Sequence, residues 1–298
     1  ELVPVYPGYG THYAFLYVGT PPQRQSVIID TGSHITAFPC TGCKQCGTHT
    51  DPYFMPSNSS TASALKCGPR RCEIAQSYSE GSSWKAYKVR DTVYLAGGRK
   101  DDNRHATDFK INMTFGCQVS QTGLFRTQLE EGIMGLSNQP ETIPHQLVAQ
   151  GKAKTRIFAL CYRAEGGILT LGGVDRRIHH NMDTIHFAKY KASGSWYGVI
   201  VKKVQFERRG GDKDGELVDI GSNFASFQTA KGSIVDSGTT DTYLPRSLAG
   251  TFMSKFKDIT GHPYSNKEQL MDSKLNGRRA FRVYLTESSG AVLGANFM

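Results

Sequence analysis

A short pattern occurs twice in this chain, once near the start and once in the last third. Ser26-Val27-Ile28-Ile29-Asp30-Thr31-Gly32-Ser33 returns as Gly232-Ser233-Ile234-Val235-Asp236-Ser237-Gly238-Thr239. Each copy is an apolar β run followed by Asp, hydroxyl, Gly, hydroxyl. At average residue frequencies that tetrad should arise on the order of a few hundredths of a time in a chain of this length. One copy alone reads as an ordinary turn, because Asp, Gly and hydroxyl residues all favour turns. A duplicated copy reads as a repeated scaffold. A second element recurs downstream of each: Gly132-Ile133-Met134-Gly135-Leu136 and Ala291-Val292-Leu293-Gly294-Ala295. The chain therefore reads as two related lobes, residues 1–154 and 155–298.

Composition agrees with a mainly β protein. Of 298 residues, 32 are Gly and 12 are Pro, which suits loop-rich strands better than a helical bundle. With 38% hydrophobic residues the chain can bury a core and is not a disordered segment. The net charge is +9, but the basic doublets Arg70-Arg71, Arg176-Arg177, Lys202-Lys203, Arg208-Arg209 and Arg278-Arg279 are scattered. A nucleic-acid footprint would be clustered, so this is read as a solvated surface and no nucleic acid is expected. No apolar run approaches the ~20 residues needed to span a bilayer. The start at Glu1 carries no signal pattern, and any targeting segment is expected to lie outside this stretch.

Seven cysteines occur, and Cys40, Cys43, Cys46, Cys67 and Cys72 crowd into one Ser/Thr/Gly/Pro-rich stretch, with Cys117 and Cys161 further on. Such a cluster can hold zinc or be a disulfide-stapled excursion made in an oxidising compartment. The loop composition favours disulfides, with Cys40, Cys43, Cys46, Cys67, Cys72 and Cys117 as candidates, their pairing open, and no metal expected. The sequons at Asn58 and Asn112 point the same way.

Local signals are mostly strands. Tyr13–Val18 and Gln25–Ile29 flank the turn Gly19-Thr20-Pro21-Pro22. Strands from Glu73 and from Trp84 form a hairpin with Glu80-Gly81 near its tip. Ile143–Ala149 is a short helical candidate, and Arg246–Ile259 a stronger one, with apolar residues near helical spacing after Pro245.

The repeated carboxylates carry a specific chemistry. Two held a few ångström apart cannot both ionise, because like charges repel at short range. The pair then shares one proton and serves as acid and base at once. The ionised member can take a proton from water while the protonated one polarises a carbonyl. Gly32 and Gly238 permit sharp turns that expose backbone N–H groups to Asp30 and Asp236. Ser33 and Thr239 can donate to the outer carboxylate oxygens, and Thr31 and Ser237 can tie the loops by hydroxyl bonds.

The paired motifs, the hairpin with Tyr78, and the two hydrophobic-hydrophobic-Gly elements resemble the pepsin family of aspartic endopeptidases over nearly the whole chain. The stretches Phe38–His49 and Gln76–Ser82 resemble more closely the plasmepsin V type, the export-motif proteases. The cysteine cluster is similar to the insertion that type shares with plant nepenthesins. The resemblance implies a bilobal pepsin-like fold with a cleft between the lobes, an insertion over about 40–72 and a flap over about 74–90. It implies that Tyr78 covers the substrate, with Glu80, Gly81 and Gln128 among the substrate-binding residues. Glu80 would hold an Arg two residues before the scissile Leu, since a carboxylate can bind a guanidinium bidentately. Gln128 would assist, and Ile28, Tyr78 and Phe125 would line an apolar pocket for the Leu. The implied substrates are cargo proteins with Arg-x-Leu motifs, cleaved after Leu by a monomer in the secretory-pathway lumen, in the Golgi or alternatively the endoplasmic reticulum. No cofactor is implied, and the family's carboxy-terminal membrane anchor is not in this stretch.

Three departures stand out. Pepsins usually carry a Trp seven residues after the first Asp, bonded to the flap Tyr; here that residue is Ala37. The flap must be steadied otherwise or move more freely. Ser79 stands where the plasmepsin V type has a cysteine. The spacing from Asp236 to Val292 is roughly half that from Asp30 to Met134. Second-lobe segments are therefore expected to be missing after Thr260 and around Arg278 to Arg282, taking the partner of Cys161 with them. The alternative to an enzyme is an inactive pepsin-fold binding or inhibitor protein; such proteins commonly lose a catalytic Asp or motif Gly, and this chain keeps both of each.

Overall fold

The computed structural model describes residues 1–97, 106–163, 165–175, 177, 188, 190–208, 212–221, 224–265, 283–296 and 298. Arg176, Arg209 and the stretch around Arg278 to Arg282 that the sequence singled out, apart from residues 283 onward, lie outside the described residues. The chain divides into two compact units, Glu1–His186 and Phe187–Met298.

In the first unit the motif strand Gln23–Asp30 lies inside an eleven-stranded sheet. Val27 and Ile29 are fully buried on one face and Ser26 and Ile28 are buried on the other, as expected of an apolar run in the middle of a sheet. The strand pairs antiparallel with His12–Val18 and parallel with Gly132–Gly135, where Gly135 lies opposite Asp30. Gly132–Gly135 meets Ala37–Lys44 antiparallel through Ile133 and Ala37, and Ala37–Lys44 runs parallel to Ile111–Gln121. The core beneath is aromatic: Phe38, Phe54 and Phe115 have ring centroids 4.7 to 5.8 Å apart.

This unit runs past residue 154. The hairpin of Phe158–Arg163 and Gly166–Leu171 adds to Leu2–Pro7, with Leu2 opposite Thr170 and Val5 opposite Gly167. The first compact unit thus takes in both strands of that hairpin. The reason is long-range pairing between the chain's first strand and the strands that follow the expected linker.

The second unit carries a six-stranded sheet. Its motif strand Ser233–Val235 runs parallel to Ala291–Leu293, which meets Thr242–Pro245 antiparallel, which runs parallel to Val283–Glu287. Leu244, Leu248, Phe252, Val283 and Leu285 form its core. The expected helices are present: Ile143–Ala149, and Ala249–Thr260 preceded by a 3-10 turn at Arg246–Leu248. The longer one ends at Gly261, whose φ of 76° is the left-handed cap that glycine adopts freely.

Six cysteines pair as Cys40–Cys117, Cys43–Cys46 and Cys67–Cys72. Cys161 forms no disulfide among the described residues. The Cys40–Cys117 bond ties the start of the cysteine-rich stretch to the strand Ile111–Gln121, and both residues are buried. Asn58 and Asn112 are exposed. Among the described residues no helix is long and apolar enough to cross a membrane.

Candidate active site

Each motif Asp stands at or just past the end of its strand, where the chain turns sharply. Gly32 N–H donates to Asp30 Oδ1 at 2.8 Å, and Gly238 N–H donates to Asp236 Oδ1 at 3.0 Å. Both aspartates are buried, at 4% and 9% exposure, as are Thr31 and Ser237. The loops are clamped by the hydrophobic-hydrophobic-Gly elements. Leu136 N–H donates to Asp30 O at 2.7 Å, and Asp236 N–H to Leu293 O at 2.9 Å. The glycines of those elements are sterically required. A Cβ at Gly135 would lie 2.6 Å from the His34 carbonyl carbon and the Ile35 nitrogen, and one at Gly294 would lie 2.2 Å from Asp241 O.

The hydroxyls behave differently in the two copies. Thr239 Oγ1 donates to Asp236 Oδ2 at 2.6 Å, as expected. Ser33 Oγ, although buried, makes no well-aligned hydrogen bond among the described residues. Its hydroxyl instead lies beside the Tyr78 phenol. The expected Ser33 bond to the Asp30 carboxylate is therefore not the arrangement found.

Tyr78 closes the hairpin made by Glu73–Ser77 and Ser83–Ala96. Its N–H donates to Ser82 O, and Gly81 N–H donates to Tyr78 O, so the tip is a tight turn. Gly81 takes φ 97°, which favours glycine. Burial, then the Asp30 carboxylate, pushes the Tyr78 phenol well above its ordinary pKa, so it stays protonated as a hydrogen-bond donor. Glu80 also raises it, as the last contributor, and is exposed at the tip. Ile28, Ala37, Trp84, Ala86, Phe125 and Ile133 form an apolar cluster against which Tyr78 packs. That cluster brings together Ile28, Tyr78 and Phe125, the residues expected around an apolar pocket. Gln128 is placed otherwise: its side-chain amide donates to Glu130 O at 3.0 Å, and its backbone carbonyl meets His49 Nδ1 at 3.1 Å. The described hydrogen bonds of Gln128 thus go to Leu124, to Glu130 and, across to the cysteine-rich stretch, to His49, and none of them reaches the hairpin.

Two residues escaped the sequence reading. Trp84 Nε1 donates to Tyr78 Oη at 3.2 Å. Glu131 is wholly buried and accepts from Ser26 N–H at 2.8 Å, Ser26 Oγ at 2.5 Å and the Asp51 N–H. It thereby ties the motif strand to the cysteine-rich stretch. Burial, opposed by those hydrogen bonds, lifts its pKa from 4.5 to about 7. The tell for Glu131 was its place immediately before Gly132; for Trp84 it was the small residue at position 37.

A mainly β fold that builds one strand–carboxylate–glycine unit twice defines the class of pepsin-like aspartic proteases. The chain belongs to the family whose model, described as "Xylanase inhibitor N-terminal", matches residues 12–173. It is 33% identical over 203 residues to Aspartic protease 5 of Toxoplasma gondii, covering 56% of this chain and 20% of that protein. It is 32% identical over 182 residues to Plasmepsin V of Plasmodium falciparum, covering 56% and 30%. Aspartic proteinase 36 of Arabidopsis thaliana is 29% identical over 270 residues, covering 83% and 53%. The chain thus spans between a fifth and about half of the length of these relatives.

Proposed function

We propose that the protein is an aspartic endopeptidase that cleaves secretory-pathway cargo after Leu in Arg-x-Leu motifs. One observation carries the reading: both motif loops keep the Asp and the Gly whose N–H binds its carboxylate. The proposal requires Asp30 and Asp236 to act as one pair around one water. The ionised carboxylate takes a proton from that water. The water oxygen bonds to the scissile carbonyl carbon, and the displaced π pair goes to the carbonyl oxygen, which takes the proton of the other carboxyl. Collapse of the resulting diol breaks the C–N bond, and the leaving amine takes a proton back from the pair.

Specificity for Arg rests on Glu80, two residues from Tyr78 and exposed at the hairpin tip. A peptide closing over it would exclude water and let the carboxylate grip a guanidinium; neutral side chains would leave that charge unpaired. The resemblance to Plasmepsin V and Aspartic protease 5 supports this choice of substrate. Three disulfides and two exposed sequons, Asn58 and Asn112, support a secretory lumen, in the Golgi or the endoplasmic reticulum. A monomer needing no cofactor is sufficient for this chemistry.

The test incubates the protein with an Arg-Arg-Leu peptide and with a matched peptide lacking Arg, and maps the products by mass. A single cut after Leu is expected, blocked by a pepstatin-type or Arg-mimetic inhibitor. Glu80→Ala should lower cleavage of the Arg peptide about 10- to 100-fold and leave the other peptide nearly unaffected. Equal losses on both peptides would remove Glu80 from the specificity site. The family description favours a second reading, an inactive inhibitor-like protein; absence of any cut by the intact protein would support it.

A further inference from the structure

The flap tyrosine is held from within its own hairpin. Trp84 lies on the return strand opposite Gln76, a few residues past an exposed tip, yet it is only 1% exposed. Its ring enters a socket floored by small residues. A Cβ added at Gly116 would lie 3.0 Å from Ala37 Cβ, 3.2 Å from Ala86 Cβ and 3.6 Å from Trp84 Cζ3. There is room for one large side chain in that space, and Trp84 occupies it. A buried indole N–H needs an acceptor, and Trp84 Nε1 finds Tyr78 Oη at 3.2 Å. Phe125 packs against the tyrosine ring, with centroids 5.1 Å apart. Ser33 and Asp30 are the polar groups at its hydroxyl end.

We propose that Trp84 is a positioning residue that fixes the Tyr78 phenol beside Asp30, in a socket that the small side chain of Ala37 keeps open. The phenol is thereby held with its own proton free to donate, because the indole supplies a donor and leaves Tyr78 to act as donor elsewhere. The effect on catalysis rests on the proposed function; the contact itself does not.

The test therefore has two arms. The chain has two tryptophans, so Trp196→Phe leaves Trp84 as the sole indole reporter. Adding Tyr78→Phe to that variant removes the acceptor and should shift the Trp84 emission maximum. Superimposable emission spectra would overturn the inference, whether or not the protein cuts peptides. In the second arm, Trp84→Phe keeps an aromatic ring but deletes the donor. It should lower kcat/KM about 3- to 10-fold, mainly through kcat, with the melting temperature nearly kept. Tyr78→Phe combined with Trp84→Phe should be no worse than the poorer single variant, since the two act through one bond. Losses that multiply would show that Trp84 is packing alone and would also overturn the inference. Absence of hydrolysis by the unaltered protein would count against the proposed function and leave the emission arm to decide the contact.

Discussion

The two motif regions share one backbone plan and differ in what is mounted on it. In both, the motif strand runs parallel to a hydrophobic-hydrophobic-Gly strand, which meets a third strand antiparallel, which runs parallel to a fourth. In both, a glycine amide binds the Asp. The first copy is then surrounded by accessories: the hairpin with Tyr78, the Trp84 socket, the Glu131 brace and three disulfides. The second keeps the threonine bond to its Asp. The carboxylate unit is the part of the plan that both copies share, while among the described residues the hairpin, the Trp84–Tyr78 bond and the Glu131 brace belong to the first copy.

The largest test of that equivalence is removal of either carboxylate. Asp30→Ala and Asp236→Ala should each lower kcat by at least about a thousandfold, because members of a catalytic unit fail together. Normal turnover by either purified variant would break the comparison. Next in size, Gly135→Ala and Gly294→Ala force a Cβ onto backbone atoms that cannot retreat. Each should cost about 2–4 kcal/mol, seen by denaturant unfolding. A large loss for one and none for the other would mean that the two clamps are not alike.

A smaller effect separates the copies. Thr239→Val removes a hydrogen bond to a carboxylate and should reduce kcat about tenfold or more. Ser33→Ala removes no such bond and should cost only about two- to threefold, compared in the same steady-state assay. The smallest effect is one of pH. Folding raises the Glu131 pKa from 4.5 to about 7, so the folded state binds its proton more tightly than the unfolded state. The stability it contributes is fully present below about pH 4.5 and is lost as pH rises through 7. Melting temperatures recorded across that window should fall for the unaltered protein, and Glu131→Gln should flatten the decline.

Much of this was legible in local sequence. The motif strands, the hairpin with Gly81 at its tip and the helix Ile143–Ala149 follow from apolar runs, turn residues and helical spacing. The hairpin strand pairs were readable because they join residues close in the chain. The pairing of Leu2–Pro7 with Gly166–Leu171 was not, and it joins strands from both sides of the expected linker in one unit. Nor was the choice of Cys117 as the partner of Cys40, since 77 residues separate them. Ser33 misled for a related reason. A hydroxyl next to a motif carboxylate has several acceptors within reach, and its place in the sequence does not decide whether it bonds any of them.

What the sequence determined by itself was the chemistry of the chain: a carboxylate placed after an apolar strand, twice, with a glycine to supply an amide. Such features depend on residue type and on neighbours a few positions away. Only tertiary structure decided which groups support those carboxylates. Trp84 reaches Tyr78 because Ala37, Ala86 and Gly116, brought together from three strands, leave a space of the right size. Packing volume is a property of assembled neighbours, and no single stretch of the chain records it.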